Sequence, residues 1–401
     1  MALATARPAP AGDRARAGNR PQHSGSPFLG LIDAVMVDSP TEFQFPGAIA
    51  HDDAAAVWLW MRRDLAPDLI DTAAIADPRA AEALEAIMPD LLARARKSLA
   101  DAAANPEIRR RIMAQLGGEP FWDRLANVLD ALRCRGLLDK AQSFGRATNS
   151  MTDDASVVLA LQAMPFNDPP VAALLMQAAV GQVANPTRLI TAAIRLAGAD
   201  DDIALNRAGF GPLVDAILAH AQDQVPKLSQ MGAYGDMDLV CRSVDRFHRL
   251  LRSINGYVEL GRSNRWTMIS AALIKAVSER IEPKLRDVVP DINKALRRRD
   301  GSDRLDGDQL LSALNGMYLL ATVRDCRDSL ALNALFDTVW TQSGQALEIH
   351  IERIRQAVRQ NPSDTIATAR LDSALKMSEV RFGQEYADVI RRATDGIASR
   401  S

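Results

Sequence analysis

Residues 168–198 read DPPVAALLMQAAVGQVANPTRLITAAIRLAG, and the punctuation of this stretch decides the fold. Asp168-Pro169 and Asn185-Pro186 each stand directly ahead of an apolar-periodic run. An Asp or Asn side chain accepts from the open N–H groups of a first helical turn, and proline tolerates the first helical position because its missing donor has no partner there anyway. The two pairs therefore predict helix starts, with one helix over 169–184 and the next over 186–197. Each carries an apolar face that it cannot bury alone, so the two are expected to pair as an antiparallel hairpin within a stack.

Outward from this stretch, Asp77-Pro78, Asn105-Pro106 and Asn361-Pro362 repeat the signal. Between His51 and about Gln230 the chain reads as short helices separated by these pairs, by Gly117-Gly118, by Gly198 and by the run Asp200-Asp201-Asp202. No shared residue pattern aligns successive units, so a tetratricopeptide or ankyrin array is not supported and an irregular stack is expected. Gly232 and Gly235 then mark a change of style, after which helices lengthen, beginning near Asp236. Val240, Val244, Phe247, Leu251, Ile254 and Val258 alternate spacings of four and three, a coiled-coil-like seam that Leu347, Ile351, Ile354 and Val358 repeat. Burying six such side chains is worth roughly 9 to 18 kcal/mol gross, against a few tenths for an exposed ion pair, so the stripe decides where its helix packs. Bundling within one chain is expected, with a homodimer seam as the alternative. Neighbouring helices are predicted over 264–281, 308–341 and 364–396, and Asp306 is read as a cap with Gln309 in the capping-box position. The fold class is thus all-α: an irregular stack of short antiparallel helices over 51–232, followed by a bundle of longer helices over 233–401. Residues 1–50, rich in Ala, Pro, Gly, Arg and Ser, are expected to form a mostly disordered tail, except that Phe28 to Val37 is expected to dock as a short element onto the body, with a partner as the alternative.

Composition bounds the function. Forty-eight basic and 50 acidic residues leave a formal charge of -2, so binding to nucleic acid or an anionic membrane has to come from a local patch. The longest near-continuous apolar stretch surrounds Ala54 to Met61, far short of the roughly 20 residues that cross a bilayer. Cys134, Cys241 and Cys326 lie far apart and form no CxxC pair, which points to a reducing, cytoplasmic setting. The arginine-rich start loosely resembles an organellar transit segment, but Pro8, Pro10 and Pro21 oppose the amphipathic helix such a segment needs.

Few residues in the sequence suggest chemistry. Setting Gly307 at the glycine of a calcium loop puts Ser302, Arg304 and Ala313 at ligand positions, so Asp300 to Asp308 is read as turn and cap. Gly209-Phe210-Gly211 lacks the third glycine of a dinucleotide fingerprint, because Val214 stands there. No Glu-x-x-His pair supports a di-iron centre. Asp245 with His248, and His220 with Asp223, share helix faces, but such pairs read as surface hydrogen bonds. Asp325 and Asp328 are the best start for magnesium-dependent isoprenoid diphosphate chemistry, yet they interleave with Arg324 and Arg327 and no second cluster accompanies them. No catalytic residue, metal ligand or cofactor is assigned. The clearest feature is a basic row on the seam helix, where Arg242, Arg246, Arg249 and Arg252 run along the side away from Val240, with Arg262 and Arg265 beyond its end. A further basic cluster, Lys294 with Arg297, Arg298 and Arg299, follows Pro290. The tryptophans Trp58, Trp60, Trp122, Trp266 and Trp340 are read as core. The expected function is a non-catalytic helical interaction or scaffold protein with a protein partner. A module that binds an anionic partner through the arginine row comes second, and an isoprenoid-type enzyme third.

Overall fold

A computed structural model describes residues 27–38, 42–70, 80–165, 168–229, 231–232, 234–298 and 304–398. The fold is all-α, with seventeen α-helices among the described residues. Among these residues the one strand pairing is two residues long, β1 (Met36–Val37) parallel to β2 (Ile49–Ala50). The chain divides into two compact units, the first ending at Ala216 and the second starting at Ile217.

The first unit holds α1 (Pro27–Gly30), α2 (His51–Trp60), α3 (Ala80–Ala104), α4 (Pro106–Leu116), α5 (Glu119–Arg133), α6 (Arg135–Thr148), α7 (Asp154–Gln162), α8 (Pro169–Val180), α9 (Thr187–Ala197), α10 (Asp202–Arg207) and the start of α11 (Gly211–Gln222). The two Asn-Pro signals act here as read, whereas Asp168 makes no capping bond and the helix expected over 169–184 ends at Val180. Asn105 accepts from Glu107 N at 2.8 Å and Asn185 from Thr187 N at 3.2 Å, while Pro169 takes the first position of α8. Asp77-Pro78 lies outside the described residues. Every residue from Val171 to Val180 is buried, so α8 is the centre of the unit. The predicted hairpin of α8 with α9 is corrected: α8 packs on α6, and α9 on α7. A helix apolar all round needs partners on several sides, and Gly145 of α6 lets one of them approach, since a Cβ there would lie 2.3 Å from the Ala179 carbonyl oxygen. Ordered chain also begins earlier than the sequence suggests. Phe28 is fully buried and stacks on Trp58 at 4.4 Å, and Phe45 and Ile49 are buried, so 27–38 and 42–50 belong to the body. Residues 1–26 and 39–41, the rest of the expected disordered tail, lie outside the described residues. Arg124 Nη1 meets Asp53 Oδ2 at 2.6 Å between α5 and α2, and burial pushes the Asp53 carboxyl up in spite of that partner.

The second unit holds α12 (Met237–Asn255), α13 (Arg265–Leu296), α14 (Gly307–Cys326), α15 (Asn333–Gln360), α16 (Thr365–Phe382) and α17 (Gln384–Ala398). Asp236 caps α12 by accepting from Leu239 N at 2.9 Å, and Asp306 caps α14 by accepting from Gln309 N at 3.2 Å. Val240, Val244, Phe247, Leu251 and Ile254 are fully buried and Val258 nearly so, with α12 packed on α14. The seam is therefore filled within one chain, which removes it as a homodimer contact. Helix ends depart from the expected ones in three places. The helix expected over 264–281 runs on to Leu296 through Pro283 and Pro290. The one expected over 308–341 breaks after Cys326, where Leu330 turns extended and the Ala331 amide bonds Ser278 Oγ at 3.0 Å. The last one divides at Gly383, whose φ of 95° belongs to the left-handed region that favours glycine. Asn361-Pro362 is a turn and not a helix start, because Asp364 three residues on caps α16 through Ile366 N and Ala367 N.

Candidate interaction surfaces

The arginine row of α12 does not form one uniform face. Arg242 pairs with Asp238 at 2.8 Å and Arg249 with Asp245 at 2.9 Å, both at i, i+4, so these two charges are quenched along the helix surface. Arg246 between them is half-buried, and desolvation, helped by Arg249 and opposed by Asp245, pulls its guanidinium down to about 10. The other half of the row differs. Arg252 in the last turn of α12, Arg262 in the connection and Arg265 at the start of α13 are all exposed. Arg252 and Arg262 have no ion pair among the described residues, and the exposed Glu259 is the one carboxylate between them in sequence. Tyr257 is 44% exposed and Met268 61% exposed on the same helical corner. Arginine, tyrosine and methionine left open at one tip is the composition enriched at protein interfaces.

Chemistry-bearing groups elsewhere are held by neighbours. His248 Nδ1 shares a 2.9 Å hydrogen bond with Ser329 Oγ, and His350 Nε2 one of the same length with Asn293 Oδ1. Burial, the largest cause for each, holds both imidazoles below their ordinary range. A base held neutral by the fold contributes stability that is fully present above its unfolded value of 6.5 and is lost as pH falls towards the folded value. The unfolding free energy of the second unit, read from urea titrations, should therefore drop between pH 7 and pH 5, by at most about 1.4 kcal/mol per pH unit for each histidine. His248→Gln with His350→Gln should flatten that slope, and an unchanged slope would show that other groups set it.

Burial pushes the Cys134 thiol up to about 11 and Cys326 up to about 12, the opposite of an activated nucleophile. Asp325 is tied to Arg324 at 2.8 Å, and Asp328 sits in the turn beyond α14, so the helical Asp pair is not assembled. Asp300 and Ser302 of the Asp-rich turn, and Arg299 of the second basic cluster, lie outside the described residues. Among the described residues no group of three or more His, Cys, Asp or Glu is placed to hold a metal ion. Lys284 Nζ donates to Asp291 Oδ2 at 3.0 Å and to Ser312 Oγ at 2.8 Å, while Ser312 donates to the same carboxylate. That closed triangle clamps α13 to α14. Beside it a cleft of ≈ 370 Å³ is lined by Leu228, Met231, Arg280 and Pro283. In the first unit a cleft of ≈ 360 Å³ lies over Gly30, Gly136 and Asp139, where Arg135 forks onto Glu85.

Two tryptophans read as core prove to be platforms instead. Trp340 is half-buried beneath Arg381 at 3.9 Å, with Arg324 at 5.4 Å, and Trp122 is half-buried beneath Arg109 at 5.4 Å. The run Arg109-Arg110-Arg111 gains importance only in the fold, its one signal in the sequence being a plain triplet of like charge. No helix among the described residues is long and apolar enough to cross a membrane. Set against protein-family models, curated proteins and solved structures, the chain matches none of them.

Proposed function

We propose that the chain is a non-catalytic helical interaction protein that engages an acidic protein partner through the corner where α12 turns into α13. The observation that carries this reading is the split of the arginine row. Its proximal charges are quenched by Asp238 and Asp245, whereas Arg252 and Arg262 stand open along the same turn of chain, from the end of α12 to the start of α13, that exposes Tyr257 and Met268. Charge gives such a site steering and orientation, and the tyrosine and methionine give it apolar contact that salt does not screen. Three unbridged cysteines fit a reducing, cytoplasmic setting for it.

The test is capture of partners by the full chain, with salt washes and quantification of each retained protein. Tyr257→Ala with Arg252→Gln and Arg262→Gln should cut retention of the specific partner about 30-fold or more, the loss of a central aromatic or arginine anchor being worth on the order of 2 kcal/mol or more. Arg242→Gln with Arg249→Gln should change it by less than about threefold, as removal of exposed, already paired charges does. Equal losses from both variants, or none from the first, would discard the corner as the contact.

A further inference from the structure

The first unit carries a separate basic surface that only the fold assembles. α2 continues past Trp60 into one π-type turn, Met61–Leu65, an irregularity often found where a helix presents functional side chains. Along α2 and this turn Asp52, Ala55, Leu59, Arg62 and Arg63 are exposed, while Ala54, Val57, Trp58 and Met61 are buried. The spacing therefore draws one solvent stripe with Leu59, 49% exposed, inside it. Arg63 Nη2 ties the stripe to α4 by donating to the Gln115 carbonyl at 3.0 Å. One turn before Gln115 stands Arg111, after Arg109 and Arg110, and all three are exposed. Arg63 pairs with Asp64 at 2.8 Å, but Arg62, Arg109, Arg110 and Arg111 have no ion pair among the described residues. Five arginines against Asp52, Asp64 and Glu107 leave the stripe and α4 two charges positive, in a chain whose formal charge is -2.

We propose that this surface docks on anionic lipid headgroups, with Leu59 seated at the headgroup boundary and Arg62, Arg110 and Arg111 on the phosphates. Planar guanidinium forks suit phosphate oxygens from any source, so the arginines alone do not choose between lipid and nucleic acid. Leu59 does choose: an exposed leucine on the stripe that carries Arg62 and Arg63 gains from an acyl boundary and gains nothing from a phosphodiester backbone. The aromatic planes that would stack unpaired bases are already covered, Trp58 by Phe28 at 4.4 Å and Trp122 by Arg109 at 5.4 Å.

The experiment is co-sedimentation of the full chain with phosphatidylcholine vesicles, with and without phosphatidylserine, alongside a duplex DNA fragment in solution. Partition should require phosphatidylserine and weaken with salt. Arg110→Gln with Arg111→Gln should lower it about 25-fold, or about fivefold for each cation removed near the surface. Leu59→Gln should lower it severalfold at unchanged charge, and Arg252→Gln with Arg262→Gln should leave it as it was. All these side chains are exposed, and circular dichroism checks that each variant keeps its helices. Partition that ignores phosphatidylserine, that survives loss of Arg110 and Arg111, or that follows Arg252 and Arg262 would overturn the proposal. DNA binding without vesicle binding would overturn it too.

Discussion

Phe247→Glu unfolds the second unit, whereas Phe247→Leu costs it about 1 kcal/mol. Phe247 is fully buried in the middle of the α12 seam, between Val244 and Leu251, which are also at 0% exposure. A carboxylate placed there has no cation among these seam neighbours, and transfer of an isolated charge into apolar surroundings costs far more than the roughly 5 to 15 kcal/mol that holds a domain together. Leucine keeps the apolar character and loses only part of the ring volume, so the core closes over most of the gap. Amide hydrogen exchange over 237–398 reads the result directly: loss of protection throughout α12 to α17 for the glutamate variant, and native protection with a small shift in urea midpoint for leucine. A folded, helical glutamate variant would show that the seam is not core.

Gly145→Ala destabilises the first unit by about 2 kcal/mol or more, although alanine is the better helix former. Within an isolated helix the change is worth up to about 1 kcal/mol in favour of alanine. Here the new Cβ would stand 2.3 Å from the Ala179 carbonyl oxygen and 3.0 Å from Gln182 Cβ, and a backbone oxygen cannot rotate aside. α6 and α8 must separate, and overpacking that moves backbone costs roughly 1 to 3 kcal/mol and occasionally more, with a backbone clash this close at the upper end. At Gly136 in the same helix an added Cβ would meet nothing within 4 Å, so Gly136→Ala should be neutral or slightly stabilising. Thermal unfolding of the two variants separates packing from propensity. Equal shifts would mean that α6 does not sit against α8 as described.

What could be read from the sequence is what a few adjacent residues decide among themselves. Asn105, Asp201, Asp236 and Asp306 each cap a helix through a bond to an amide two or three positions on, and that geometry needs no distant partner. Helix ends were harder because distant contacts set them. Nothing near Cys326 announces that the following turn will give an amide to Ser278, 53 residues away. Pairing was harder still: α8 and α9 adjoin in sequence, yet each packs on the helix before its neighbour. The arginine row was visible as a row, but its division needed the Asp238 and Asp245 side chains in place. Arg109 to Arg111 could be seen as a triplet, whereas the bond from Arg63 to the Gln115 carbonyl on the same helix, 52 residues on, depended wholly on the fold.

The two prolines inside α13 bear on what keeps that helix continuous. Pro283 leaves the Glu279 carbonyl without its helical donor, and Pro290 does the same to Arg286. At about 3 kcal/mol each relative to alanine, they make the middle of this segment a poor helix on its own. Twelve buried side chains along α13, against α14 and α15, are what keep it continuous. The longest helix among the described residues thus owes its continuity to the helices packed against it, whereas α12 and α14 hold no proline and carry no such cost.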